Sequence, residues 1–532
     1  MSKSKKTLSG RPSPSEATAD ANQNILFIMA LGSSARITLL LILLAVVVCA
    51  LLNPGNFGTI DTRRRWQVAR SIRLSEPTVT SDDVRQGFGI PGWNGEPQAW
   101  YGIGQSLLLL PIDALVDATV SPLVRRSGLA PTRRKQIAEL TVAFLMQAFL
   151  TACVLLLARH VLLTFGFGST AAVAGSLSLL FATSCLQYVQ CAQENELLLA
   201  LALAALASVR AWHREQRGRW VFLAGMACGF AILVRLTSLL ETGVFALFAI
   251  AAGTKPKRFL VWFAPPVVGA LLFDRWYQWH RFGELFSTYI GIFGRLNRPL
   301  DQPVSFPFSY PFWKGFLGTF FSPDKSVLLF DPLLIIVLLL AMRNWRSIDR
   351  AARLLLVCLV LLLVAYAVSY ARYFDFGGDV AWGHRFVLLP VQLLCLFAAP
   401  LLFEQRWSAL CILVLASVPL QCASTVISPN VEVIQRNIGS RQGVLWNRAV
   451  NIAQIAANSE DPKRFTGIPI EWRTLTYFPF QLRLRFPRLA AWGIAGWVAL
   501  LLSLPVLIAA LGLQARRQDR LKNTDYRRMT LR

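Results

Sequence analysis

The sequence is poor in charged residues for its length. Only 16% of its 532 residues are charged, whereas a soluble globular domain carries about 25%. Long apolar runs take the place of the charges, and they recur at the spacing of membrane-crossing helices, each of which needs roughly 20 apolar residues. The composition therefore predicts an all-α, polytopic transmembrane bundle and favours one integrated bundle over several soluble domains.

Motifs of nucleotide, metal and redox chemistry are missing as well. The sequence has no Walker A loop and no G-x-G-x-x-G after a strand, so it shows no site for a nucleotide phosphate. Its four histidines form no zinc motif and its nine cysteines include no C-x-x-C pair, so the cysteines are expected to be small apolar packing residues. The formal charge of +25 does not indicate nucleic acid, because the basic residues lie mostly in short loops, where they set topology and meet anionic lipid head groups.

Loop charge predicts how the chain crosses the membrane. Basic residues precede the first apolar segment, 33–52, which places the N-terminus in the cytoplasm. The segment 104–120 contains Asp113, Asp117 and Pro111 and is either a span or a helix along the interface. If it crosses, residues 220–253 must form a single span so that the later basic loops stay in the cytoplasm. Those residues would make ~51 Å of helix, which is too long for the ~30 Å hydrocarbon core of a bilayer. We therefore predict an interfacial 104–120, about 12 spans within a range of 11 to 13, and both termini in the cytoplasm.

These predictions divide the chain into five parts. A sixty-residue outer loop is too short for a large core of its own and is expected to pack on the bundle. The parts are a disordered cytoplasmic tail at 1–32, a transmembrane module at 33–427, an outer loop at 428–488, a last span at 489–513 and a basic cytoplasmic tail at 514–532.

The stretch after the first span joins an acid to a cluster of arginines. Asp61 stands two residues before Arg63, Arg64 and Arg65, and it is expected to cap a helix that begins at Thr62. The carboxylate could also serve as a base on a hydroxyl, while the arginines hold a phosphate. The alternative is a simple helix cap with arginines anchored to lipid phosphates.

Other ionisable residues are expected near the same outer face. Glu194 and Arg235 lie at or within apolar segments, where charges are costly and usually paired or functional. The predicted topology brings both toward the outer side, as partners or as part of a polar chamber, unless they are only residues of span ends at the head-group level. A glycine pair at 377–378 permits a tight turn beside Asp379, His384 and Arg385.

Five stretches of the sequence carry a recognisable pattern. They are Asp61 with its following helix, WYGIGQSLLLLPI at 100–112, GMACGFAILVRLTSLLE at 225–241, GTFFSPDKSVLLFDP at 318–332 and GGDVAWGHRFVLLP at 377–390. In their order and their spacing from the spans, they resemble the bacterial glycosyltransferases of the GT-C type. These polytopic enzymes use polyprenyl-phosphate sugars, and the similarity is to the mannosyltransferase and aminoarabinose-transferase-like branch.

The resemblance implies an acidic base in the first outer loop, where Asp61 stands, and interfacial helices in that loop. Many members carry paired acids there, whereas Thr62 follows Asp61 in this chain. A second acid would have to come from elsewhere, and a divalent metal stays open as a cofactor. The candidates for the second acid are Asp82, Asp83, Glu96 and Glu194.

A lipid-phosphate sugar carries its own leaving group, so its transfer needs a base for the acceptor hydroxyl, cations for the departing phosphate and a groove for the lipid. We predict Asp61 as the catalytic base. The candidate phosphate ligands are Arg63, Arg64, Arg65, Arg235, Arg372 and Arg385, and the other candidate polar residues are Glu96, Glu194, Asp379 and His384.

The predicted function is an inverting transfer of a monosaccharide from a polyprenyl-phosphate donor to a hydroxyl of a glycan, lipid or protein. It would take place at the periplasmic face of the bacterial inner membrane. The alternative is a transporter or flippase for a lipid-linked or anionic substrate, which would also need buried charges. Two features disfavour that alternative, since the halves show no internal repeat and the outer loops are long where the inner ones are short.

Overall fold

The computed structural model describes residues 14–80, 83, 89–253, 255–378, 381–403, 407–428, 431–432, 435, 443–457, 475–482 and 487–530. Most of the predicted outer loop 428–488 lies outside these ranges. The predicted site residues Asp82 and Asp379 lie outside them as well.

The described chain is almost entirely helical. Its only sheet there is a two-stranded antiparallel hairpin of β1 (Ile90–Pro91) and β2 (Pro97–Gln98). The first helices are α1 (Pro14–Leu52), α2 (Ile60–Leu74), α3 (Gly104–Arg126), α4 (Pro131–Thr164), α5 (Ser169–Phe181), α6 (Cys185–Cys191), α7 (Glu194–Glu215), α8 (Gly218–Val234), α9 (Leu239–Ala251), α10 (Pro256–Phe282) and α11 (Tyr289–Leu296). The later ones are α12 (Phe312–Phe321), α13 (Val327–Phe330), α14 (Leu333–Arg343), α15 (Arg350–Tyr370), α16 (Leu388–Leu396), α17 (Ala398–Phe403), α18 (Trp407–Val426), α19 (Val444–Ala456), α20 (Phe478–Leu482) and α21 (Pro487–Thr530).

Eight helical segments of the described chain are long and apolar enough to cross a membrane, or nine if α5 and α6, bent by 59°, count as one span. The prediction of an all-α, multi-pass membrane bundle is confirmed at this level. Three shorter apolar helical segments of 10–17 residues add to the bundle, and the count of about 12 spans stays a prediction. The eight are Gly32–Leu52, Gly104–Arg126, Pro131–Thr164, Glu194–Glu215, Pro256–Phe282, Arg350–Tyr370, Arg385–Phe403 and Pro487–Thr524.

Glycines let two of the helices approach closely. A Cβ atom at Gly225 of α8 would lie 2.5 Å from the carbonyl oxygen of Phe263 in α10, and one at Gly229 would lie 2.8 Å from that of Pro266. Small residues four positions apart allow this close contact between helix backbones in a membrane. The contact fixes α8, whose last residue, Val234, is followed directly by Arg235.

Several helix ends meet at one end of the bundle, which we call the polar end. Gln190 of α6 donates a hydrogen bond to the carbonyl oxygen of Leu52, where α1 ends, at 3.1 Å. Glu194, the first residue of α7, binds Arg235, which follows α8. Alternate helices therefore begin and end here, as expected for antiparallel neighbours in a bundle.

The segment between α1 and α4 lies at this same end. The indole of Trp66 in α2 donates to Asp113 of α3 at 2.7 Å, and Arg73 of α2 lies 2.5 Å from the same carboxylate. Gln105, at the start of α3, donates to the carbonyl oxygen of Ala192 at 2.9 Å. Helices α2 and α3 are thus held together beside the polar end by buried polar contacts.

Candidate functional site

A buried carboxylate, Glu194, gathers three guanidinium groups at the polar end. Its Oε2 lies 2.8 Å from Nη1 of Arg65, its Oε1 binds Nη2 of Arg235, and the same Oε1 lies 3.5 Å from Nη2 of Arg385. The arginines come from α2, from the end of α8 and from the start of the span at 385–403. A buried acid needs such compensation, because its desolvation is costly.

Asp61 is the exposed acid of this network. Its side chain is 26% exposed, against 3% for Glu194. Nη2 of Arg385 donates to Oδ2 of Asp61 at 3.1 Å, and the hydroxyl of Tyr101 donates to Oδ1 at 2.6 Å. Arg385 therefore bridges the two carboxylates, and Asp61 keeps part of its surface open to solvent.

Burial favours the neutral form of Asp61, but the guanidiniums of Arg385 and Arg65 and the hydrogen bond from Tyr101 outweigh it and hold the pKa of Asp61 below its ordinary value. The carboxylate is therefore ionised at neutral pH. Burial and the nearby Asp61 raise the pKa of Tyr101, so its phenol stays protonated and remains a donor. We define the charged network as Asp61, Glu194, Arg65, Arg235 and Arg385. Its three cations and two anions leave one net positive charge.

Aromatic rings support the guanidiniums. Arg65 lies over the ring of Tyr101 at 4.5 Å, and Arg235 and Arg385 lie 5.6 and 5.7 Å from the ring centre of Phe386. Phe386 itself stacks on Tyr370 with 4.3 Å between ring centres. Cation–π contacts of this kind stabilise a guanidinium where water is excluded, and they limit the directions in which the three arginines can turn.

The start of α2 differs from the prediction. The helix begins at Ile60, and Thr59 is its N-cap, with extended backbone angles and a hydroxyl that accepts from the amide of Thr62 at 3.4 Å. The expectation that Asp61 caps a helix beginning at Thr62 is wrong, because Thr59 already supplies the capping oxygen. Asp61 is instead the second residue of the helix, and its carboxylate faces the arginines.

A break between two helices places Arg235. The residue has extended backbone angles of φ −151° and ψ 120°, and it separates α8 from a short 3-10 helix at Leu236–Ser238. The expected pairing of Glu194 with Arg235 is what the structure shows.

Three of the six predicted phosphate ligands, Arg65, Arg235 and Arg385, belong to the network, and the other three do not. Arg63 is 47% exposed and pairs with Glu139 at 2.9 Å. Arg64 is buried, 3.8 Å from Asp83. Arg372 is exposed, outside the network.

Of the other candidate polar residues, Glu194 belongs to the network, whereas Glu96 and His384 do not. Glu96 is exposed in the turn between β1 and β2, away from the network. His384 is fully buried among aromatic rings, 5.8 Å from that of Phe376, and neither ring nitrogen has a hydrogen-bond partner within the described part of the chain. Burial and the nearby Lys325 lower the pKa of His384 to about 3, so the imidazole is neutral.

Tyr101 is the functional residue that the sequence argument missed. It stands inside the stretch at 100–112, but a tyrosine in an apolar motif carries no signal of its own. Its neighbour Gly102 is a structural clue, because a Cβ atom there would lie 2.5 Å from the carbonyl oxygens of Leu233 and Val234. Only glycine lets the chain pass over the end of α8 and bring Tyr101 to Asp61.

Within the described ranges, no three His, Cys, Asp or Glu side chains come together as ligands for a metal ion. The nearest pair of acids in the network, Asp61 and Glu194, is bridged by Arg385. No family model matches the chain, and no curated protein is significantly similar to it.

Glu194→Gln tests whether the buried carboxylate holds the polar end together. The change leaves three guanidiniums with one acid fewer, and we expect the free energy of unfolding to fall by about 3–5 kcal/mol, as when one partner of a buried ion pair is removed. Denaturant titration of the purified protein in detergent measures the loss.

The matched control is Glu76→Gln. Glu76 pairs with Arg70 at 2.6 Å but is 44% exposed, so we expect a loss of about 0–1 kcal/mol. Equal losses in the two variants would contradict a special structural role for Glu194.

Proposed function

We propose that the chain is an integral membrane glycosyltransferase of the GT-C type, which moves a monosaccharide from a polyprenyl-phosphate donor to an acceptor hydroxyl. The observation that supports this best is the partly exposed carboxylate of Asp61, which lies 3.1 Å from Arg385 and near the guanidinium of Arg65. A base for a hydroxyl and fixed cations for a phosphate are the groups that such a transfer needs. The surrounding apolar helices suit a donor that carries a lipid.

In the proposed reaction the acceptor oxygen attacks the anomeric carbon of the sugar. The new carbon–oxygen bond forms as the bond from that carbon to the phosphate oxygen breaks, and the hydroxyl proton passes to Asp61. Attack from the face opposite the phosphate inverts the anomeric centre. Arg65, Arg235 and Arg385 would stabilise the charge that grows on the leaving phosphate, which is where the transition state differs most from the bound donor.

The bridging position of Arg385 suggests how the base becomes active. Arg385 is the strongest influence that lowers the pKa of Asp61, and a bound phosphate would compete for the same guanidinium. When a phosphate shares the guanidinium of Arg385, the influence of that cation on Asp61 weakens and the carboxylate becomes a better proton acceptor. Glu194 then acts as the anchor that keeps the three arginines in place, and the second acid of the site need not bind a metal.

We propose further that the polar end faces the periplasm across a bacterial inner membrane, with about 12 spans and both termini in the cytoplasm. The contacts of α3 support this. The chain lies beside the polar end both before and after α3. At the start of α3, Gln105 donates to the carbonyl oxygen of Ala192, and after α3, Glu139 of α4 binds Arg63. A helix that crossed between these points would carry the start of α4 to the opposite end of the bundle.

Purified protein tests the choice of donor. We expect it to release polyprenyl phosphate from a polyprenyl-phosphate monosaccharide when an acceptor is present, because the site offers cations for a phosphate and the sequence shows no nucleotide motif. A chromatographic assay of the lipid product measures the release. Turnover of a nucleotide sugar alone would contradict the proposal, and transfer of the intact lipid-linked sugar across a vesicle without release would favour the transporter.

Asp61→Asn tests the base. Since Thr59 caps α2, the substitution has no capping role to disturb, and we expect turnover to fall by ~10²–10⁴-fold, the usual size of a general-base contribution, while donor binding persists. Glu96→Gln is the control, because Glu96 is exposed outside the network and should keep full turnover. A well-folded Asp61→Asn protein with more than a few per cent of the original turnover would retire this assignment.

Thiol labelling of intact cells tests the position of α3. A cysteine introduced at Arg126, where α3 ends, should react with a membrane-impermeant reagent because the interfacial helix leaves it outside. Arg217→Cys, in the exposed turn between α7 and α8, lies at the opposite end and should be protected. Protection of the residue 126 variant, with the unsubstituted protein as background, would place that loop in the cytoplasm and remove the 12-span topology.

A further inference from the structure

A second cluster of cations surrounds a cleft away from the charged network. The cleft has a volume of about 270 Å³ and lies between the second half of α2, the end of α3 and the start of α4. Arg70, on its α2 wall, follows Asp61 by nine residues, which is roughly 13 Å of helix. The cleft is therefore a separate feature of the same surface. Its cationic residues are Arg70, Arg125, Arg134 and Lys135.

The two acids of the cleft are already paired. Glu76 accepts from Arg70 at 2.6 Å, and Asp117 binds Arg73 and accepts from the hydroxyl of Ser121 at 2.9 Å. Asp113 also binds Arg70 and Arg73, so these two arginines of α2 are shared among three carboxylates.

The remaining three cations are not neutralised in this way. In the described part of the chain, Arg125, Arg134 and Lys135 lie within 4.0 Å of no carboxylate. The guanidinium of Arg134 instead donates to the carbonyl oxygen of Leu129 at 2.7 Å. Three of the four cations that line the cleft therefore contact no carboxylate. Counted together with Arg73 and with the carboxylates of Glu76, Asp113 and Asp117, the cluster has five cations and three anions and keeps two net positive charges.

The start of α4 adds to this positive potential. The helix begins at Pro131, has no acid in its first turn, and its N-cap residue, Ala130, makes no side-chain capping bond. The N-terminus of a helix carries a partial positive charge, so Arg134 and Lys135 stand where cations are unfavourable. An anion in the cleft would relieve both the unmatched side chains and the helix end.

Apolar side chains complete the wall of the cleft. Val120, Val124 and Ala138 line it together with the cations. On its opposite face α3 exposes Leu115 and Leu123, at 54% and 66%, which suits a helix that rests on the interfacial region of a bilayer. The cleft is thus at the level where phospholipid head groups lie.

We propose that this cleft binds the phosphate of an anionic phospholipid, with Arg125, Arg134 and Lys135 around the phosphate and the apolar wall beside the glycerol and the first carbons of the chains. The proposal does not depend on the transferase activity, because it rests on the cleft and its unmatched cations alone. A bound lipid would join α2, which carries Asp61, to α3 and α4.

Equilibrium binding of short-chain phosphatidylglycerol to the purified full chain in a neutral detergent tests this. We expect saturable binding at one site, weaker binding of phosphatidylcholine with the same chains, and a loss of affinity of about tenfold in the Arg125→Gln, Lys135→Gln double variant, because the two cations near the head group are gone. Arg126→Gln is the matched control, since Arg126 is the next residue of α3 and does not line the cleft; it should change the affinity less than about twofold.

Both substituted side chains of the double variant are exposed, and its thermal midpoint should equal that of the original protein. A salt titration of the original protein gives a second measurement without any substitution, and phosphatidylglycerol binding should weaken with salt while phosphatidylcholine binding does not. Equal effects of Arg126→Gln and the double variant, or equal affinity for the two lipids, would overturn the proposal. Displacement of the lipid by an equal concentration of inorganic phosphate would show a site for free anions and would overturn the lipid as the ligand.

Discussion

The polar end of this protein depends on one buried charge. A carboxylate at the first residue of α7, removed from water, is tolerated only if cations reach it. Arg65, Arg235 and Arg385 do so from three separate parts of the sequence. Arg235 stands at the break after α8 and Arg385 at the start of the span at 385–403, whereas Arg65 lies inside α2.

The balance of charge around Glu194 then decides the chemistry that is available. Two carboxylates against three guanidiniums leave one positive charge, and a phosphodiester carries one negative charge. A lipid-linked sugar phosphate would therefore bring the network to neutrality. Asp61 is the member that remains partly open, so a carboxylate that compensates the arginines is also, in the proposed reaction, the group that accepts the proton.

Much of this arrangement could be predicted from the sequence, because it depends on composition and on the number of membrane spans between one loop and the next. Low charge and long apolar runs predict the helical bundle, and counting the loops places Asp61, Glu194 and Arg235 at one end. The triple arginine could not be assigned as a unit, since successive residues on a helix point about 100° apart. Arg63, Arg64 and Arg65 must face three directions, and only Arg65 meets Glu194. The capping residue was also ambiguous, because threonine and aspartate both serve at that position, and the contact of Tyr101 with Asp61 depends on a close approach of backbones that no local pattern reveals.

The glycine contacts of α8 have a mechanical consequence. At Gly225 and Gly229 the helix meets α10 backbone to backbone, and at its end it meets the chain at Gly102 in the same way. Such contacts contain no side chain that could change rotamer and absorb a displacement, so α8 moves as a rigid rod with its neighbours. A bilayer that becomes thinner changes the tilt of the helices that cross it. Tilting α10 would therefore carry α8 and Arg235 with it, together with the chain at Gly102 beside Tyr101, so that the position of this side of the polar end follows the thickness of the membrane.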